Sequence, residues 1–88
     1  MGATVQTSRV EVEIMGEYYV LRGDSSPEHI RELARRVDRM IREITSRNPR
    51  VSVAKAAVLA AINIADELKR LQESYDGLVK MIEGEREQ

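Results

Sequence analysis

The 88-residue chain has no cysteine, no tryptophan and no phenylalanine. Without cysteine there is no disulfide, no thiolate metal site and no cysteine nucleophile. The single histidine, His29, does not make a zinc site, and a catalytic triad would need it beside a serine and a carboxylate. Three tyrosines supply all the aromatic content, which is little for a chain that must close its own core. Neither charge dominates, since 14 Lys and Arg against 15 Asp and Glu leave a formal charge of −1. Phosphate neutralisation needs a basic surplus, so a general nucleic-acid binder is not expected. The longest apolar run, residues 56–62, is far short of the roughly twenty residues that span a bilayer, so no membrane insertion is expected either. Residues 1–8 lack the basic start and apolar stretch of a secretory signal, and Gln6 stands where a myristoylation motif carries Ser or Thr. The expectation is a cytoplasmic protein with a flexible N-terminal arm over residues 1–8. At this size one core gives little surplus stability, which makes a partner subunit plausible from composition alone.

Periodicity then divides the chain. Val10, Val12 and Ile14 alternate with Glu11 and Glu13, the pattern of a half-buried strand. Met15-Gly16-Glu17 interrupts it, and residues 17–21 read as a second strand, giving a hairpin with Gly16 in or beside the turn. Its expected inward face is Val10, Val12, Ile14, Tyr19 and Leu21. A lone two-stranded hairpin is marginal in water, so this one must lie on helices or extend another sheet. A helix start follows: Ser26 as N-cap places Pro27 first, whereas Ser25 as N-cap completes a capping box with Glu28. Ile30, Leu33, Ala34, Val37, Met40, Ile41 and Ile44 then fall within an arc of about 120°, a sharp amphipathic stripe. Asn48-Pro49 ends that helix, and Ser52 caps the next.

The second helix changes character midway. Residues 54–65 are apolar almost all round, interrupted only by Lys55 and Asn63, so burial on several sides is expected. Beyond Asp66-Glu67 the pattern narrows to Ile64, Leu68, Leu71, Tyr75, Leu78 and Ile82, spaced four and three residues apart as a heptad seam. Val79 and Met81 widen the seam at its far end. Gly77 and Gly84 weaken that end by roughly 1 kcal/mol each against Ala. Residues 83–88 read as a polar, frayed tail. The fold class is α+β, with a β-hairpin, an amphipathic helix and a long C-terminal helix that forms an oligomeric, coiled-coil-like stalk. The expected divisions are the arm at 1–8, a globular head at 9–66 and an oligomerisation helix at 67–88, with Ala61, Ile64, Leu68, Leu71, Tyr75, Leu78 and Ile82 at the oligomer interface.

No catalytic constellation stands out. Glu11 and Glu13 are paired on the outer face of a strand, where solvent keeps carboxylates ordinary. His29, in the first turn of a helix, has no second catalytic group beside it in sequence. Gly16 and Gly23 are isolated, without phosphate-loop spacing. Neither a cofactor nor a metal is expected. Arg31, Arg35, Arg39 and Arg42 project from the back of the first helix within about 80° of arc. They read either as a docking strip for an acidic partner or as a solvated face of ion pairs through Glu28–Arg31, Glu32–Arg35, Glu32–Arg36 and Asp38–Arg42. Arg47 and Arg50, in the following loop, have no such close partners and are the stronger candidates. Asn63 is expected to bond a neighbouring backbone group, in the hairpin for example.

The segments Val10-Glu11-Val12-Glu13-Ile14-Met15-Gly16 and Ala56-Ala57-Val58-Leu59-Ala60-Ala61-Ile62-Asn63-Ile64-Ala65-Asp66-Glu67-Leu68, with the capped helix between them, resemble the bacterial cell-division family ZapA. The resemblance covers residues 10–71 and is to the short members of the family. It implies binding of the tubulin-like GTPase FtsZ at the division site, bundling of its filaments, no catalysis and no cofactor. It also implies a homodimer through the C-terminal helix that can pair into a tetramer. Carried onto this chain, the partner-binding residues would be the charged edge of the hairpin with Arg39, Arg42, Arg47 and Arg50. Glu17 departs from relatives that carry a basic residue just after the turn glycine. The competing reading is a small dimeric helical enzyme of chorismate mutase type with an Arg-lined site. The outward arginines and the hairpin speak against it.

Overall fold

Alternation at residues 10–14 produces the expected strand. In the computed structural model, which describes residues 7–86, β1 (Ser8–Ile14) pairs antiparallel with β2 (Glu17–Gly23). Of the arm expected at 1–8, residues 1–6 lie outside the described residues and Ser8 opens β1. The two-residue link Met15-Gly16 has φ of 53° and 80°. Two successive left-handed residues make the turn whose twist matches the flanking strands. β2 runs two residues beyond the expected 17–21, because Arg22 and Gly23 complete the ladder against Arg9 and Ser8.

Helix α1 (Pro27–Arg47) begins as the Ser26 option requires, with Ser26 Oγ accepting the N–H of His29 at 3.2 Å. It ends at Asn48, whose N–H donates to the Ile44 carbonyl at 3.0 Å. Ser52 caps α2 (Val53–Arg86) through Oγ, which accepts the Lys55 N–H at 3.2 Å. At 1.5 Å per residue, 34 helical residues run for about 50 Å. Of the tail expected to fray at residues 83–88, residues 83–86 belong to α2, and 87–88 lie outside the described residues.

Two small cores result. Val10, Val12, Ile30 and Ala34 form the first, where β1 lies on the N-terminal half of α1. Ile41, Ala56 and Ala60 form the second, where the C-terminal half of α1 meets α2. Ile14 packs against both and joins them. The small Ala56 and Ala60 side chains let the helices approach closely around Ile41.

Three expectations about burial change. Tyr19 and Leu21 share the face of Val12 and Val10 by register, yet stay 47% and 38% exposed, because α1 lies over β1 and leaves β2 uncovered. Leu33, on the apolar stripe, is also exposed. Among the α2 residues whose burial is described, only Ala56 and Ala60 are buried, so the all-round apolar segment is covered on a single side by its own chain. The outline explains this, since the molecule measures 56 × 48 × 16 Å. Its thickness is little more than one helix of about 10–12 Å diameter. Its radius of gyration is 18.4 Å, where a compact chain of this length has about 12 Å. A single layer of elements has nothing to lay over its second face.

Glycine positions give a direct check on the backbone. A methyl at Gly16 meets no atom within 4 Å, so its cost is the left-handed backbone alone, and Gly16→Ala is expected to destabilise by about 1–2 kcal/mol. A methyl at Gly77 also meets open space, on a helical backbone, and Gly77→Ala is expected to stabilise by about 1 kcal/mol. Urea unfolding of both variants at one fixed protein concentration measures the opposite signs.

Candidate functional site

The arginines of α1 divide by partner. Arg42 Nε donates to Asp38 Oδ2 at 2.9 Å, the pair expected at this spacing. The other oxygen of Asp38, Oδ1, accepts the N–H of Met15 in the hairpin turn at 2.8 Å. Met15 sits at the first turn position, where its N–H has no place in the β1–β2 ladder, and a carboxylate on α1 takes it. The Met15 N–H first, and the Arg42 guanidinium second, hold the Asp38 carboxyl below its ordinary 3.8. Glu13, on the outer face of β1, adds a further negative charge toward Arg42. Arg42 thus belongs to a clamp between hairpin and helix.

Arg36 Nη2 reaches Glu67 Oε2 at 2.9 Å and ties α1 to α2, in place of the expected pair with Glu32. The expected Glu28–Arg31 and Glu32–Arg35 pairs are not formed among the described residues. Arg35, Arg39, Arg47 and Arg50 make no ion pair among those residues. Arg39 and Arg42 line one shallow surface hollow with Arg35, Asp38, Glu43 and Ser46. Arg47 is the last residue of α1 rather than a loop residue, and faces a different hollow with Met40, Leu59 and Asn63. Arg50 follows in the exposed turn before α2. The four expected partner residues therefore form one pair on the back of α1 and one pair at its C-terminal end.

Asn63 is exposed and makes no hydrogen bond to the hairpin among the described residues, contrary to expectation. It stands on the line Ala56, Ala60, Asn63, Glu67 that faces α1, at the level where the helices begin to part. The seam residues Ala61, Ile64, Leu68, Leu71, Tyr75, Leu78 and Ile82 lie on an adjacent face. All seven are exposed, Leu71 and Tyr75 at 68% and 66%. Glu11, Glu13 and His29 are exposed, and no group of His, Asp and Glu among the described residues is placed to hold a metal. The hollow between the helices carries Arg35, Arg36 and Arg39 but also Glu32, Glu43 and Glu67. Three carboxylates beside three guanidiniums do not make a dianion site. With the hairpin formed, an all-helical mutase does not fit.

Comparison with known proteins gives this geometry a family. The sequence model described as "Cell division protein ZapA" matches residues 10–88. The cell division protein ZapA of Geobacillus sp. (strain WCH70) is 41% identical over 86 residues, covering 98% of this chain and 99% of the relative. That of Geobacillus thermodenitrificans (strain NG80-2) is 44% identical over 79 residues, covering 90% and 87%. The chain belongs to the ZapA family. A solved structure, "ZapA mutant dimer from Geobacillus stearothermophilus", matches with a TM-score of 0.75 and 36% identity, covering 94% of this chain and 96% of that one. The ZapA fold is therefore the α+β fold expected, with an N-terminal hairpin, one amphipathic helix and one long helix. No helix of the described residues is long and apolar enough to cross a membrane.

The feature of this ZapA fold that sequence spacing does not reveal is the second bond of Asp38. Its pairing with Arg42 follows from four-residue spacing, while its reach to the hairpin turn depends on how β1 lies on α1. One signal was available, since Asp38 borders the apolar arc beside Ala34 and Ile41, unlike the carboxylates of the outer face. Replacing it tests the clamp. Asp38→Ala should destabilise the fold by about 1–2 kcal/mol at pH 7, and Asp38→Asn, which keeps an acceptor for Met15, by less. Because the folded-state value lies below 3.8, ionised Asp38 favours the folded chain above that pH and ceases to as pH falls through the lowered value. The stability gap between parent and Asp38→Ala should accordingly narrow from pH 7 to pH 3, as urea unfolding at the two pH values would read.

Proposed function

We propose that this chain is a non-enzymatic cell-division protein that binds FtsZ and crosslinks its filaments at the cytoplasmic division site. The observation that carries the reading is the exposed seam of α2. It is an apolar heptad stripe that its own chain does not cover, in a member of a family whose solved relative is a dimer. Ala61, Ile64, Leu68, Leu71, Tyr75, Leu78 and Ile82 join two chains along this stripe, and the dimer can pair again into a tetramer. Residues 9–66 then act as the filament-binding head and residues 67–88 as the oligomerising extension.

Binding by the head rests on Arg39, Arg47 and Arg50, which are exposed and free of ion pairs among the described residues. Arg42 contributes as well, with part of its charge already satisfied by Asp38. Each head holds a filament weakly. A second head on the same oligomer meets its filament at high effective concentration, which raises avidity by about 10²–10⁴. Crosslinking therefore needs the seam even if a single head still binds.

Sedimentation of GTP-assembled FtsZ filaments from the same organism, with light scattering, tests both halves. The parent should co-pellet and raise scattering. Leu68→Glu or Leu71→Glu should abolish bundling and reduce the oligomer to single chains, with circular dichroism showing the helices retained. Arg39→Gln and Arg47→Gln should weaken co-pelleting more than Arg42→Gln does. A folded, oligomeric parent that fails to co-pellet overturns the assignment of FtsZ as partner.

A further inference from the structure

β2 is an edge strand, since only β1 pairs with it among the described residues. The register settles which of its backbone groups are free. With a two-residue turn, Ile14 and Glu17 form a hydrogen-bonded pair, as do Val12 with Tyr19 and Val10 with Leu21. The N–H and C=O groups of Tyr18, Val20 and Arg22 therefore point away from β1. Tyr18 and Val20 are exposed on the outer face, and Tyr19 and Leu21 on the inner one. Lysine, proline, a bulge or a covering element ordinarily protects such an edge, and residues 18–21 have none of them.

Charge along this edge is polarised. At the open end of the hairpin Arg9 and Arg22 stand directly opposite each other, a destabilising like-charge pair. Neither makes an ion pair among the described residues. Toward the turn the same face carries Glu11 and Glu13, opposite Val20 and Tyr18. A third strand laid on β2 thus meets free backbone groups, apolar side chains, and an unanswered cation at one end only.

We propose that β2 takes up an extended segment of a different protein as an antiparallel third strand. The segment carries a carboxylate opposite Arg22, apolar side chains opposite Leu21 and Tyr19, and a β-branched residue between these, opposite Val20. Tyr18, Val20 and Arg22 then form up to about six backbone hydrogen bonds with it. The carboxylate answers Arg22 and offsets its repulsion by Arg9. The two apolar side chains extend the inner face of Val10, Val12, Tyr19 and Leu21 by one strand. Run in the parallel direction, the same segment sets its carboxylate at Tyr18, across β2 from Glu13, so charge selects the antiparallel direction. A second copy of β2 does not meet the requirement. Centred on Val20, it brings Tyr18 rather than a carboxylate opposite Arg22. The edge is separate from the α2 seam and from Arg39, Arg47 and Arg50, so this partner is additional to FtsZ.

Backbone NMR of the isotope-labelled full chain reads this edge directly. The probe is the peptide Ser-Asp-Val-Thr-Ile-Thr-Ser, capped at both ends so that its only charge is the carboxylate. On titration the amide signals of Tyr18, Val20 and Arg22 should shift, and their exchange with solvent should slow. The peptide Ser-Thr-Val-Thr-Ile-Asp-Ser, of the same composition, should bind at least roughly threefold more weakly. Arg22→Glu should reverse the charge requirement and prefer the first peptide with Lys in place of Asp. Val20→Pro removes an N–H that the hairpin does not use, and should bind roughly tenfold more weakly while staying folded. Leu68→Glu, which breaks the seam, should bind as the parent does. Equal binding of the two peptides, or no shift at β2, overturns the proposal. So does a chain whose Tyr18, Val20 and Arg22 amides are already protected without peptide, because a second copy then covers the edge.

Discussion

The contact of Ile41 with Ala56 and Ala60 is what the rest of the molecule hangs from. It is the second core, it sets the distance between the helices, and everything N-terminal to it reaches out from α2 as an arm. Alanine suits the position because a larger side chain would separate the helices and draw Ile14 away from its bridge between the two cores. From that junction α1 carries the hairpin outward, and the Arg36–Glu67 bond marks where the helices still touch. Asp38 then fixes the hairpin turn to the helix through one hydrogen bond from Met15. A small number of short-range contacts thus orients a surface much larger than they bury.

That economy has a consequence for function. A chain 16 Å thick leaves apolar side chains exposed on β2, on the first half of α2 and along the seam. Exposed apolar surface of this extent is more often found at interfaces than on the free surface of a monomer. The ZapA relative of solved structure is a dimer, and the exposed surfaces of this chain are of the kind that dimers and higher assemblies cover. The arginines follow a second logic. Arg36 and Arg42 hold the fold together, while Arg35, Arg39, Arg47 and Arg50 remain available among the described residues.

Sequence periodicity was informative wherever one short-range pattern had one structural solution. Val10, Val12 and Ile14 could alternate in and out only on a strand. Ser26 and Ser52 stood directly before apolar-periodic runs, and both cap helices through their hydroxyls. Heptad spacing marks a stripe from Ile64 to Ile82 whose side chains are exposed in the single chain. Asn63 and Tyr19 were less legible. Their surroundings depend on where another element comes to rest: α1 lies over β1 rather than over Tyr19, and Asn63 borders α1 only across an open hollow, without a hydrogen bond to the hairpin among the described residues.

The sequence by itself determined the elements, the cap of α2, the hairpin turn and the apolar stripes, and narrowed the cap of α1 to Ser25 or Ser26, because each follows from backbone geometry within a few residues. Only the tertiary structure decided which stripes a single chain covers, which arginines are already paired, and that Asp38 reaches across 23 residues to the turn. Those outcomes depend on how far apart α1 holds the hairpin and α2. That separation is fixed by side-chain volume at Ile41, Ala56 and Ala60, a packing property that no local periodicity encodes.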